Sequence, residues 1–68
     1  MEKFKKLRGK ILERGFTHSR MAKEMGINSS TFSAKINGQT DWTRTEMIMI
    51  RSLLDLTPNE FYAIFFGL

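Results

Sequence analysis

Few residues of this 68-residue chain are suited to covalent or metal chemistry. The sequence has one histidine, His18, no cysteine, and seven carboxylates scattered along its length. No nucleophile, base and orienting group follow one another in a recognisable order, and one imidazole without thiolates does not make a metal site. We therefore expect neither an enzyme nor a bound metal, cofactor or small-molecule substrate. Non-covalent recognition by polar and cationic side chains is the chemistry that remains.

The cationic side chains are concentrated in the first half of the chain. Residues 1–35 contain nine Lys and Arg against three acids, a net charge of +6, whereas residues 36–68 contain two against four, a net charge of −2. Lys and Arg beside phosphates displace condensed counterions, so this asymmetry suits a polyanionic partner. It suits equally well a helix whose lysines only solvate its outer face, and the charge alone does not separate the two interpretations.

The apolar spacing predicts short helices, and no sustained alternation of period two predicts a strand. We expect an all-α fold of five short helices in one domain over residues 1–68. Apolar residues recur three and four apart in the first helix: Phe4, Leu7, Ile11 and Leu12. This spacing is typical of an amphipathic helix over residues 2–14, and Gly15 ends it.

Two short helices joined by a sharp turn are predicted next. Thr17 suits the N-cap of the second helix, Met21, Ala22 and Met25 form its apolar stripe, and Gly26 supplies the left-handed stop.

The third helix has a buried and an exposed side. Asn28 suits its N-cap, Phe32 and Ile36 lie four residues apart and point inward, and Asn37 with Gly38 ends it. The short side chains that point away from the core are Ser29, Ser30, Ser33 and Ala34.

A loop over residues 39–42 separates this helix from the last two. Each of these begins with a capping box, in which a hydroxyl and a carboxylate three residues later satisfy backbone amides reciprocally. The boxes are Thr43 with Glu46 and Thr57 with Glu60. They predict helices over residues 44–55 and 58–66.

Residues 16–38 resemble the helix-turn-helix of the phage-repressor and Cro family, also called XRE-type or lambda-repressor-like. The small Ala22 allows two helices to cross closely, and Gly26 makes the turn between them. The combination that makes the resemblance specific is Thr17, Ala22, Gly26, Ile27, Phe32, Asn37 and Gly38. The resemblance extends over nearly the whole chain, and its length is similar to that of short single-domain phage regulators.

The resemblance implies a small transcriptional regulator, a repressor or Cro-like protein, that binds double-stranded DNA sequence-specifically. Its third helix, residues 29–37, would lie in the major groove. The residues implied at base edges are Ser29, Ser30 and Ala34, with Asn28 and Ser33 beside them. Because hydroxyls discriminate bases less sharply than long bidentate side chains, we expect modest specificity. The implied location is the cytoplasm of a bacterium or phage-infected cell, without a membrane-spanning or signal segment.

Other residues are implied along the DNA backbone. His18 stands where the family usually has a glutamine that binds phosphate, which predicts a phosphate contact with a pH dependence near pH 6.5. Its alternative is a solvated first-turn residue. The implied contacts after the third helix are Asn37, Gln39, Thr40 and Arg44. Asn37 also serves as a helix stop. Lys35 is either a phosphate contact or a solubilising lysine, and Trp42 lies either over the core or beside the DNA backbone.

Family members often join the first and third helices by a buried Arg–Glu pair. The matching positions in this sequence are Ile11 and Ile36, which predicts an apolar contact in place of the ion pair.

The C-terminal run has more aromatic surface than one short helix can bury. We expect Phe61, Ile64 and Phe65 to close the core. The remaining residues, Tyr62, Phe66 and Leu68, would form the interface of a homodimer with its reading helices roughly 34 Å apart. The alternative is an oversized internal core. The same aromatic surface supports a second hypothesis, an antirepressor-like module of this fold that binds another regulator rather than DNA.

Overall fold

A computed structural model describes residues 4–67. In that part of the chain the elements are α1 (Lys5–Glu13), α2 (His18–Met25), α3 (Ser29–Ile36), α4 (Arg44–Leu54) and α5 (Pro58–Phe66), with no strand. The all-α prediction is confirmed, and each helix ends within one residue of its predicted end. None of the helices in residues 4–67 combines the length and apolar character that crossing a bilayer requires.

The predicted N-caps are present, with one difference. Thr17 Oγ1 accepts a 3.0 Å hydrogen bond from Arg20 N at the start of α2. Thr43 N donates to Glu46 Oε1 at 2.9 Å and Glu46 N donates to Thr43 Oγ1 at 3.2 Å, and the second capping box has the same lengths. Asn28 occupies the N-cap of α3, but its side chain accepts no capping bond.

The turn between α2 and α3 is closed by Gly26, whose φ of 73° lies in the left-handed region that glycine adopts without strain. Ile27 N then donates to Ala22 O at 3.0 Å. This bond returns the chain across the end of α2, so that α3 packs against α2. The helix-turn-helix is therefore built from local backbone bonds.

One apolar cluster lies between all five helices. Trp42, from the loop after α3, is buried with its ring 5.4 Å from Phe32 and 6.2 Å from Phe4, so its interpretation as a core residue is confirmed. Leu12 is the exception on α1, because it is 72% exposed. The 100° step per residue turns Leu12 off the side that Ile11 buries.

The two positions predicted to form an apolar contact between α1 and α3 are both in the core. Ile11 and Ile36 are fully buried in the common cluster, and a polar contact that the sequence did not predict lies near them. The guanidinium of Arg8, three residues before Ile11, donates to Oδ1 of Asn37, the residue after Ile36.

Polar contacts also fasten α1 to the last two helices. Lys10 Nζ contacts Glu13 at 2.7 Å and pairs with Glu60 of α5. Arg14 Nε donates to Leu54 O at 3.0 Å, at the end of α4. These contacts hold the basic first helix against the C-terminal part of the fold.

Candidate nucleic-acid interface

The outer side of α3 is a row of short polar side chains. Ser29, Ser30 and Ser33 are exposed, as the periodicity predicts, and Ala34 is half-buried. Thr31 is also exposed, although the sequence analysis did not single it out. The helix contains no acidic residue, so its outer side does not repel a polyanion.

His18 lies at the start of α2 with its ring against the core. The imidazole centroid is 5.4 Å from the ring of Phe32 on α3, so His18 is more than a solvated first-turn residue. Partial burial lowers its pKa below the ordinary value of 6.5, and the positive charge of Arg8 lowers it further. The ring is therefore neutral at pH 7, and its titration lies lower than the sequence analysis predicted.

Lys35 has a structural place that neither interpretation anticipated. Its Nζ lies 2.9 Å from Glu46 Oε1 and donates to the backbone oxygen of Asp41 at 2.9 Å, and its side chain is only 11% exposed. The ammonium also lies over the ring of Trp42. These contacts tie α3 to the following loop and to α4, so Lys35 has a structural role within the fold.

The carboxylate of Glu46, which pairs with Lys35, is stabilised in its charged form. Burial alone raises the pKa of Glu46, but the backbone N–H of Thr43 and the ammonium of Lys35 outweigh it and lower the pKa below 4.5. The same carboxylate thus completes the capping box of α4 and anchors the end of α3.

The residues after α3 form an exposed polar segment. Asn37 is the C-cap of α3, which confirms it as the helix stop, and its side chain accepts from Arg8. The other predicted backbone contacts are all exposed: Gln39, Thr40 and Arg44. Asn28, before α3, is exposed as well. These residues flank the serine row at both ends of α3.

Several of the cations in the basic first half of the chain form ion pairs within the protein. Among the described residues of the basic first half, Lys10 pairs with Glu60 and Lys35 pairs with Glu46. Arg20 is paired with Glu24 at 3.3 Å on the outside of α2. Part of the basic excess therefore stabilises the fold.

The aromatic tail divides as predicted within the described residues. Ile64 is buried, Phe61 and Phe65 are partly buried, and Tyr62 and Phe66 are 50% and 56% exposed with ring centroids 5.6 Å apart. Leu68 lies outside the described residues. We call Tyr62 and Phe66 the aromatic patch.

Residues 2–67 match the model of a family described as "Protein of unknown function (DUF739)". No curated protein matches the chain. The chain is similar to the solution structure of the modulator of repression (MOR) of the temperate bacteriophage TP901-1 from Lactococcus lactis, with 30% identity and a TM-score of 0.78 over 97% of this chain and 89% of that one.

A second solved structure shares the fold. It is the restriction-modification controller protein C.AhdI from Aeromonas hydrophila, at 23% identity and a TM-score of 0.74, over 87% of this chain and 91% of that one. Both names describe regulators. Because the family model spans nearly the whole chain, the protein belongs to the DUF739 family and has an all-α helix-turn-helix fold.

Proposed function

We propose that the protein is a small Cro-like transcriptional regulator that binds double-stranded DNA with α3 in the major groove. The observation that supports this most directly is the exposed row of Ser29, Ser30 and Ser33 on a helix without acidic residues. Phe32 and Ile36 hold the opposite side of α3 in the core, so the row has a fixed direction. The likeness to a phage protein named a modulator of repression supports a regulatory role.

Base recognition falls to short side chains. The hydroxyls of the row and the methyl group of Ala34 would meet base edges, with Asn28 beside them. A hydroxyl donates to or accepts from several bases, whereas bidentate contacts from Gln or Arg select one base pair. We therefore expect phosphate contacts and DNA shape to supply much of the affinity.

The proposed phosphate contacts come from the start of α2 and from the residues that follow α3. They are His18, Asn37, Gln39, Thr40 and Arg44. Neutral His18 would act as a hydrogen-bond donor at pH 7, because its pKa is lowered. We leave Lys35 out of this set since its ammonium is engaged with Glu46 and Asp41. A regulator of this kind would act in the cytoplasm of a bacterial or phage-infected cell.

A fluorescence-anisotropy titration with random duplex DNA at several salt concentrations tests the proposal. Ser33→Glu places a carboxylate on the outer side of α3, and Ser52→Glu makes the same change at an exposed position of α4. Wild-type binding should weaken with salt at a slope of about −0.9 per neutralised phosphate. Ser33→Glu should lose at least about tenfold in affinity, because a like charge at a close charged contact costs more than about 1.4 kcal/mol.

Two outcomes would contradict this proposal. An absence of binding at low salt would exclude the DNA-binding function. Equal losses in Ser33→Glu and Ser52→Glu would place the DNA away from α3.

The aromatic patch favours a second candidate, in which the protein binds its own copy or another regulator. Tyr62 and Phe66 form a tilted ring pair and are half exposed, and an apolar patch of this kind often marks a surface that a partner covers. A homodimer through this patch would present two α3 helices to successive turns of DNA. Sedimentation of the wild type and of Tyr62→Ser with Phe66→Ser tests it: a monomeric wild type at high concentration would exclude the homodimer.

A further inference from the structure

Arg8 of α1 interacts with two residues of the candidate interface. It lies on α1, yet its guanidinium donates to Oδ1 of Asn37 at the end of α3. Its positive charge also acts on His18, at the start of α2. One side chain from outside the helix-turn-helix therefore interacts with two of the residues proposed to contact phosphates.

The chemistry of the two groups fixes the orientation of Asn37. A guanidinium has donors and no acceptor, whereas a carboxamide has one oxygen acceptor and one NH₂ donor on the same carbon. Because Arg8 takes the oxygen, the nitrogen of the amide is turned away from α1. Asn37 is an exposed residue, and a phosphate oxygen is an acceptor that suits an amide nitrogen.

A carboxylate at position 37 would pair with Arg8 more strongly than an amide does. It would also leave only acceptors on the outer side, where they would repel a phosphate. Compared with a carboxylate, the amide of Asn37 pairs less strongly with Arg8 but has a hydrogen-bond donor as well as an acceptor. The contact with Arg8 alone would therefore favour the carboxylate.

We infer that Arg8 is a positioning residue for DNA binding, which holds Asn37 with Nδ2 directed outward to donate to a DNA phosphate. This inference rests on the proposed DNA-binding function. It assigns to α1 a part in recognition that the helix-turn-helix alone does not provide, and it makes Asn37 an oriented contact as well as a helix stop.

Asn37→Asp separates positioning from a purely structural link. The aspartate keeps an acceptor for Arg8, and this stronger pair offsets the unfavourable negative charge at the C-terminal end of α3, so the melting temperature should change little. It lacks the outward donor, so affinity for random duplex DNA at low salt should fall at least about tenfold. The matched control is Asn59→Asp, the same change at an exposed position of α5, which should bind within about twofold of wild type.

A double-mutant cycle tests whether Arg8 acts through Asn37. Arg8→Gln and Asn37→Ala should each weaken DNA binding about three- to tenfold, the range for one hydrogen bond. In the Asn37→Ala background, Arg8→Gln should change affinity less than about twofold. Arg8→Lys, which keeps a donor and the charge, should recover part of the loss. Melting temperatures are measured for every variant.

The outcomes distinguish this inference from the proposed function. A wild type that does not bind duplex DNA at low salt overturns both. A wild type that binds, with Asn37→Asp equal to Asn59→Asp in affinity, overturns the positioning role alone. Additive losses in the cycle overturn it too, because Arg8 would then act independently of Asn37. If Arg8→Gln fails to fold, the comparison of the two aspartate variants decides, and a clear drop in the melting temperature of Asn37→Asp also contradicts the inference.

Discussion

The middle of α3 and its C-terminal end use polar residues in opposite ways. In the middle, Ser30 and Ser33 are short, exposed and close to their own backbone. At the end, Lys35 reaches Glu46 of α4, and Asn37 receives Arg8 of α1. The middle is an exposed row, which we propose as the DNA-binding surface, whereas the end is a joint that fixes α3 to two other helices.

This difference shows what periodicity does and does not determine. The 100° step along a helix sets the direction of each Cβ, and for a serine that nearly sets the position of the hydroxyl. A lysine head lies several bonds further on, so its place depends on distant acceptors. Lys35 is an example: the residue is partly exposed, but its side chain is only 11% exposed because the ammonium reaches Glu46.

The largest effect should come from the side of α3 opposite the serine row. Phe32→Ala removes a fully buried ring that contacts Trp42 and His18. Loss of transfer energy and the cavity left behind should cost about 3 to 5 kcal/mol. Chemical denaturation should show this loss, which leaves little or no folded protein in a domain of this size.

Thr31→Ala is the control on the exposed side of the same helix. Thr31 is exposed beside Phe32, so Thr31→Ala should change the free energy of unfolding of the domain by less than about 0.5 kcal/mol. Comparable losses for both substitutions would mean that α3 is not held by one side alone.

A smaller effect is expected at the end of α3. Lys35→Ala removes the ion pair with Glu46 and the bond to Asp41 O, and should cost about 1 to 3 kcal/mol in the free energy of unfolding. Lys23→Ala, at an exposed position of α2, should cost almost nothing. Where Lys35→Ala is still folded, its DNA affinity should match that of Lys23→Ala, since each loses one positive charge. A much greater loss of affinity in Lys35→Ala would restore Lys35 as a phosphate contact.

The sequence was sufficient wherever structure depends on neighbours along the chain. Thr17 and Thr43 cap helices through amides three residues away, and Gly26 closes its turn through bonds to the preceding helix. The contact between Arg8 and Asn37 joins residues 29 positions apart, so no local rule predicts it. The roles at base edges and phosphates came from the resemblance and stay predictions.

The N-caps of α2 and α3 offer a finer comparison. Thr17 accepts from Arg20 N, while Asn28 caps α3 without a side-chain bond. Thr17→Ala should therefore cost about 1 kcal/mol, and Asn28→Ala only a few tenths. Thermal denaturation of both variants measures the difference. If Asn28→Ala cost as much as Thr17→Ala, the Asn28 side chain would bond to α3 in solution, and it would be less available to DNA.

The smallest change concerns the pH dependence that His18 gives to the joint between α2 and α3. Its pKa in the folded protein is below 6.5 because of partial burial and the charge of Arg8. As the pH falls below 6.5, the unfolded chain takes up a proton that the folded chain resists, so the stability contributed by neutral His18 declines and levels off below the folded pKa. His18→Gln removes this decline, and melting temperatures at pH 7.5, about 6 and about 5 should fall less in the variant than in the wild type. If the melting temperatures of the wild type and the variant fell in parallel with pH, the imidazole would be as well solvated in the folded protein as in the unfolded chain. His18 would then be a solvated residue of the first turn of α2 that does not pack on Phe32.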